Sequence, residues 1–96
     1  MYGTVARLKV KENAIDDVKA WAQDDRRPDG GVAAYVFQSD DDAQEFFLVA
    51  IFEDEASYRA NAEDPETQQS FAEWSQFLTA EPQWNDGDVV MASNYR

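Results

Sequence analysis

This chain of 96 residues contains neither His nor Cys, so none of its side chains ordinarily titrates near neutral pH. The usual parts of nucleophilic catalysis are therefore missing. Ser39, Ser57, Ser70, Ser75 and Ser93 have no imidazole to activate them, and no thiolate is on offer. A metal could be held only by carboxylates and carbonyls, which restricts it to hard cations such as Mg²⁺ or Ca²⁺. Asp40, Asp41 and Asp42 form the obvious cluster. Consecutive residues in a hairpin turn splay apart, however, and the run lacks the alternating ligands and distal Glu of a calcium loop. A solvated turn and no bound metal are expected. No glycine-rich phosphate loop occurs, so no nucleotide or flavin cofactor has a cradle, and none is expected.

What remains is a set of aromatic and uncharged polar groups. Tyr58, Asn61, Phe71 and Trp74 have helical spacing and can close over Thr4, Ala6 and Leu8 of the first strand, making a concave apolar site with a few hydrogen-bonding tips. Such a site suits a small, flat aromatic ligand. An electron-rich phenol or quinol reacts with O₂ once deprotonated, because the substrate supplies the electrons; the protein need only bind, orient and stabilise the anion. Tyr58 and Asn61 are the candidates to donate to that oxyanion, and no residue is assigned as catalytic. Phe71 and Trp74 also have a plainer reading as core, since aromatics on a helix face usually pack inward. Arg7 could bind an anion or, in so acidic a chain, pair with Glu45, Glu53 or another acid across a subunit interface. Trp84, beside Asn85-Asp86-Gly87, is placed either at a pocket rim or against a neighbouring subunit.

The elements that must carry these groups follow from periodicity. Tyr2 to Val10 alternates Thr4, Ala6, Leu8 and Val10 with Val5, Arg7 and Lys9, which reads as a strand. Asn13 can cap a helix with Ile15, Val18, Trp21 and Ala22 on one face, ending near Arg26 and Arg27 before Pro28 and the turn Asp29-Gly30-Gly31. Val32 to Ser39 and Glu45 to Phe52 make two strands of a hairpin joined through the polar segment Asp40 to Gln44. Asp54 caps a short helix bearing Tyr58 and Asn61, and Asp64-Pro65-Glu66 restarts helix with the buried side Phe71, Trp74, Phe77 and Leu78. Glu81-Pro82 ends it, Asp86-Gly87 is read as a turn, and Asp88 to Asn94 as the last strand. The order strand, helix, strand, strand, helix, strand is the ferredoxin-like βαββαβ arrangement: one α+β domain over residues 1–96, with a four-stranded antiparallel sheet and the helices on one face.

Three of those strands are apolar on both sides. Phe46, Leu48, Ala50 and Phe52 point one way and Phe47, Val49 and Ile51 the other; Ala33, Tyr35 and Phe37 oppose Val32, Ala34 and Val36; Val89 and Met91 oppose Val90 and Ala92. Helices can cover one face, and a single domain of this size has too few for the second, whose contiguous apolar surface exceeds what monomers tolerate. A homodimer through the sheet face is therefore expected. It would also enlarge a core that, at this length, buries only about 60 to 65 per cent of the unfolded surface.

The net charge of −12, from 20 acids against 8 bases, repels nucleic-acid phosphates and anionic membranes, so neither is an expected partner. Such a surface suits concentrated salt or, equally, an ordinary acidic cytosolic protein, and stability is expected to rise as ions screen its self-repulsion. No stretch approaches the roughly 18 apolar residues of a membrane span. A strand signal starting at Tyr2 leaves no room for a signal peptide, and a cytoplasmic location is expected.

The residues Val5-Ala6-Arg7-Leu8-Lys9-Val10-Lys11, the stretch Glu45 to Phe52, and Asp54-Glu55-Ala56-Ser57-Tyr58-Arg59-Ala60-Asn61 followed by Asp64-Pro65 resemble the antibiotic biosynthesis monooxygenase-like family. The resemblance spans essentially the whole chain and implies a dimeric α+β barrel in which two sheets pack face to face. The family includes cofactor-free oxygenases of quinol-type aromatics, haem-degrading enzymes and quinol oxidases. It thus implies a cofactor-independent monooxygenase-like protein acting on a small aromatic substrate of quinol or polyketide type; the alternative is a non-catalytic dimeric barrel that binds a hydrophobic metabolite. Many relatives carry a His where Asn61 stands and another near Glu66 to Gln68. The haem-degrading branch needs a helix His and an Asn in strand one, where Ala6 aligns, so haem degradation is disfavoured.

Overall fold

The structure, a computed structural model, describes residues 1–24 and 26–95. Strand β1 (Tyr2–Lys9) leads through a single 3-10 turn at Glu12–Ala14 into helix α1 (Ile15–Ala22); β2 (Gly31–Gln38) and β3 (Glu45–Phe52) form the hairpin; α2 (Glu55–Glu63), α3 (Pro65–Ser75) and β4 (Gln83–Asp88) complete the chain. The strands pair antiparallel in the order β2-β3-β1-β4. This is the α+β, ferredoxin-like fold that the order of periodic segments predicts.

The helix ends follow local chemistry. Asp54 accepts from the Ser57 backbone N–H at 2.8 Å while Ser57 closes the reciprocal half of a capping box, and Asp64 accepts from Glu66 N at 2.8 Å ahead of Pro65 at the first helical position of α3. Helix α1 departs from expectation: Asn13 lies inside the 3-10 turn, and Ala14 starts the helix without a side-chain cap. The expected stop at Arg26 also moves back to Ala22. Gly30 adopts φ 77° in the turn before β2, a conformation that favours glycine, and a Cβ there would come within 2.5 Å of Ser57 Cβ.

All the helices cover one face of the sheet. Alternate β1 residues Ala6 and Leu8, with Val10 just beyond, are 0% exposed and meet Val18 of α1, Phe46 of β3, Trp74 of α3 and Leu78. Burying a side chain such as Leu8 stabilises the fold by about 1.5–3 kcal/mol. Leu78 lies past the end of α3 and reaches the sheet by an isolated bridge to Val10.

The last strand corrects the sequence reading. It runs Gln83–Asp88, not Asp88 to Asn94, and Asp86-Gly87 is not a turn: both residues sit within the strand, opposite Thr4 and Gly3. Register with β1 decides the matter. Val89 N still bonds Met1 O at 2.9 Å, and 90–95 continue without regular structure despite their apolar run.

Candidate functional site

Antiparallel pairing puts facing residues on the same side of the sheet, so β4 delivers Trp84 and Asp86 to the helix-covered face, opposite Ala6 and Thr4. Helix α2 brings Tyr58 and Arg59 down onto them. The Tyr58 hydroxyl donates to Asp86 Oδ1 at 2.8 Å. Arg59 donates through Nη2 to the Tyr2 hydroxyl at 3.1 Å, and its Nη1 stands 3.7 Å from Asp86 Oδ2. The Tyr58 ring packs 5.3 Å from Tyr2 and edge-on to Phe52 at 5.5 Å, and the guanidinium lies 5.8 Å from the Tyr2 ring centre and 5.6 Å from that of Tyr58.

Thr4 sits beneath this group, 3% exposed. Its Oγ1 lies beside the Tyr58 phenol but closes no hydrogen bond with any described residue. A buried hydroxyl without a well-formed partner is costly, about 1–3 kcal/mol, and Tyr58 is the group nearest to serving as one. Burial pushes the Tyr58 phenol up to about 12, the Asp86 carboxylate adds to the rise, and the Thr4 hydroxyl works against it. Tyr58 therefore keeps its proton at neutral pH and spends it on Asp86. That hydroxyl, expected from the sequence to be a donor to an oxyanion, is engaged by Asp86 in this structure.

The other half of the site is aromatic. Trp74 is buried, stacked on Trp21 at 5.0 Å and edge-on to Phe71 at 4.9 Å, and Trp84 stands 6.2 Å from Phe71 and 6.5 Å from Trp74. Trp74 belongs to the core, and half-buried Phe71 joins it to Trp84. Of the five residues singled out from the sequence, Tyr58 and Thr4 meet at the polar end while Phe71 and Trp74 meet at the aromatic end. Asn61 joins neither: its Oδ1 accepts from Thr67 Oγ1 at 2.9 Å, bracing α2 against α3. Sequence reading missed Asp86, Arg59 and Tyr2. The available signal for Asp86 was its position two residues after Trp84, on the same side of a strand.

The other sequence candidates resolve as structure. Asp42 accepts from Gln44 N at 2.9 Å and pairs with Lys9, and the Lys9 hydrogen bond is the chief reason its carboxyl is held below the usual range. Among the described residues no group of three or more carboxylates is arranged to hold a metal. Arg7 pairs at 2.9 Å with Glu45 of its own chain, so that interaction needs no second subunit. No helix is long and apolar enough to cross a membrane, among the described residues.

No protein-family model and no curated protein sequence matches the chain. Solved structures do. One from Deinococcus radiodurans, named a putative antibiotic biosynthesis monooxygenase, is 14% identical with a TM-score of 0.81, covering 100% of this chain and 99% of that one. Proteins of the same name from Nitrosomonas europaea (17% identical, TM-score 0.80, covering 95% and 100%) and Bordetella bronchiseptica (17%, 0.81, covering 94% and 97%) agree. The chain has the antibiotic biosynthesis monooxygenase-like fold. At these identities it is the fold that is shared, and the resemblance read from the strand and helix motifs holds at that level.

Proposed function

We propose that this protein is a homodimeric, cofactor-independent monooxygenase-like protein that binds a small aromatic hydroxyl compound of quinol or polyketide type at the Thr4–Tyr58–Asp86 cluster. The observation that carries the reading is the unpartnered, buried Thr4 hydroxyl beside a phenol whose own proton is committed to Asp86. A ligand hydroxyl at that point donates to the Tyr58 oxygen and accepts from Thr4 Oγ1. Tyr58, fixed by its bond to Asp86, and Thr4 would thus orient the ligand hydroxyl, with the Arg59 cation nearby to offset the charge of the ligand anion once its proton has left to solvent. The chemistry then belongs to the substrate. A ring methylene, the keto tautomer of a phenol, plus O₂ gives a carbonyl plus water with no external reductant. Phe71 and Trp84 would flank the ring.

The dimer is part of the same reading. The sheet face away from the helices carries Val5, Tyr35, Phe37, Phe47, Val49 and Ile51, with Val5, Tyr35 and Phe37 46%, 64% and 52% exposed. Its charged residues are Arg7, Lys9 and Glu45, so two copies that each carry −12 can approach there with the least repulsion. The molecule measures 36 × 34 × 22 Å, broad enough for the roughly 800 Å² per partner of a standard interface.

The test is a melting-shift panel of 1,4-dihydroxynaphthalene, flavonols and anthrones, followed by O₂ uptake on each hit. Stabilisation by a panel member, lost in Tyr58→Phe and Thr4→Val, is the expected result. O₂ uptake above the uncatalysed rate supports the enzyme. A shift without uptake supports the binding barrel, which the lack of any imidazole or thiol favours. No shift with any member defeats both.

A further inference from the structure

The open face is a wedge. Three rows of side chains run across it from β2 to β4: Ala33, Ile51, Gly3, Gly87; then Tyr35, Val49, Val5, Asn85; then Phe37, Phe47, Arg7, Gln83. The β2 edge stands high on two half-exposed rings, stacked in part by Phe37 on Phe47 at 5.2 Å. The β4 edge is hollow, because Gly3 and Gly87 face each other across the strand pair and leave a shallow notch of about 190 Å³ walled by Val5, Ile51, Asn85 and Val89.

The two glycines are not equivalent. A Cβ on Gly3 would run into Ala50 O at 2.2 Å, so the neighbouring strand demands glycine there. A Cβ on Gly87 would meet nothing within 4 Å, and Gly87 lacks the positive φ that calls for glycine. Glycine inside a strand weakens it and often marks a close approach by another body. Nothing among the described residues accounts for Gly87.

We infer that the Gly3–Gly87 notch receives Tyr35 from a second copy of the chain. A twofold contact must be self-complementary, each copy offering both the knob and the hole. With the twofold axis running along the strands, the partner's β2 lies over this β4, high edge on hollow edge, and both notches fill. An axis running across the strands sets ring against ring on the two β2 edges and leaves both notches open. Tyr35 shares a row with Asn85, one alternate position or about 7 Å from Gly87; the usual ~30° between packed sheets can cover about half of that offset, and the length of the phenol side chain spans the rest. A polar tip suits the place as well: the Asn85 side chain rims the notch, its Nδ2 held by Val5 O at 3.0 Å and its Oδ1 left to accept from a phenol.

This inference rests on the dimer reading above, and sedimentation of the full chain separates the two. Gly87→Leu should keep native circular dichroism and raise the dimer dissociation constant by more than about thirtyfold, and Tyr35→Ala in the same chain should recover part of that loss. A Gly87→Leu protein that dimerises as tightly as the parent overturns the notch and leaves the dimer standing. So does a Gly87→Leu, Tyr35→Ala double variant no tighter than Gly87→Leu alone. A parent chain that sediments as a monomer at micromolar concentration removes both. If Gly87→Leu fails to fold, Gly87→Ala, which adds one methyl group to open space, takes its place and is read the same way.

Discussion

The two faces of the sheet are built from alternate residues of the same strands, yet they are finished to different degrees. On β1, Ala6 and Leu8 are 0% exposed under the helices, while Val5 between Thr4 and Ala6 is 46% exposed on the other side. The difference is one of supply. Helices α1, α2 and α3 cover a single side, and among the described residues no element reaches the other. Composition alone does not separate the faces, since both are rich in Val, Phe and aromatic surface; what separates them is where the covering material comes from.

The largest expected effect is a contrast between neighbours on β1. Leu8→Ala should cost about 2–5 kcal/mol in urea unfolding, since it opens a cavity in a fully buried cluster. Val5→Ala should leave the unfolding of the separated subunit nearly unchanged and act on association. Equal losses in subunit stability for the two would erase the distinction between the faces.

Salt gives an intermediate effect. Repulsion between copies of charge −12 is screened over about 10 Å at 0.1 M ionic strength and about 3 Å at 1 M. Raising potassium chloride from 0.1 to 1 M should therefore lift the melting temperature and tighten association, as read by thermal denaturation and sedimentation. A flat or falling response would mean that the acids are not a burden to either face.

The smallest effect concerns the cover itself. Asp54 has its carboxyl held below 3.8, chiefly by the Ser57 backbone N–H at the start of α2. A group whose folded value is depressed contributes stability above its unfolded value and loses it as pH falls through the folded one. The amides of α2 should lose hydrogen-exchange protection as pH drops below about 4, after correction for intrinsic exchange rates, and Asp54→Ala should show that reduced protection already at pH 7. Amides of β3 should change less. Matching changes in both would show that the helix does not loosen separately from the sheet.

Much of this division was legible in the sequence. The alternation Phe46, Leu48, Ala50 against Phe47, Val49, Ile51 survives in the register, and Asp54 and Asp64-Pro65 start their helices as their chemistry dictates. The last strand was not legible, because Asp86-Gly87 is a turn signal in isolation and only pairing with Thr4 and Gly3 makes it strand. The site suffered for the same reason. Asp86 meets Tyr58 across 28 residues, and Asn61 is engaged by Thr67 beyond a helix break, so neither partner shows in local spacing. Arg7 was read as an anion site or an inter-subunit group because its strand face should meet the partner sheet; its partner Glu45, 38 residues away in sequence, lies on the neighbouring strand of the same chain.

The break between α2 and α3 has a mechanical consequence. Asp64 both ends one helix and starts the next: its N–H bonds Asn61 O at 3.2 Å, its carboxylate takes Glu66 N, its carbonyl takes Gln68 N at 3.0 Å, and the Thr67–Asn61 bond spans the corner. A joint fastened at four points is a bracket, not a hinge. Tyr58 on one arm and Phe71 on the other are therefore presented to the sheet by a single braced unit.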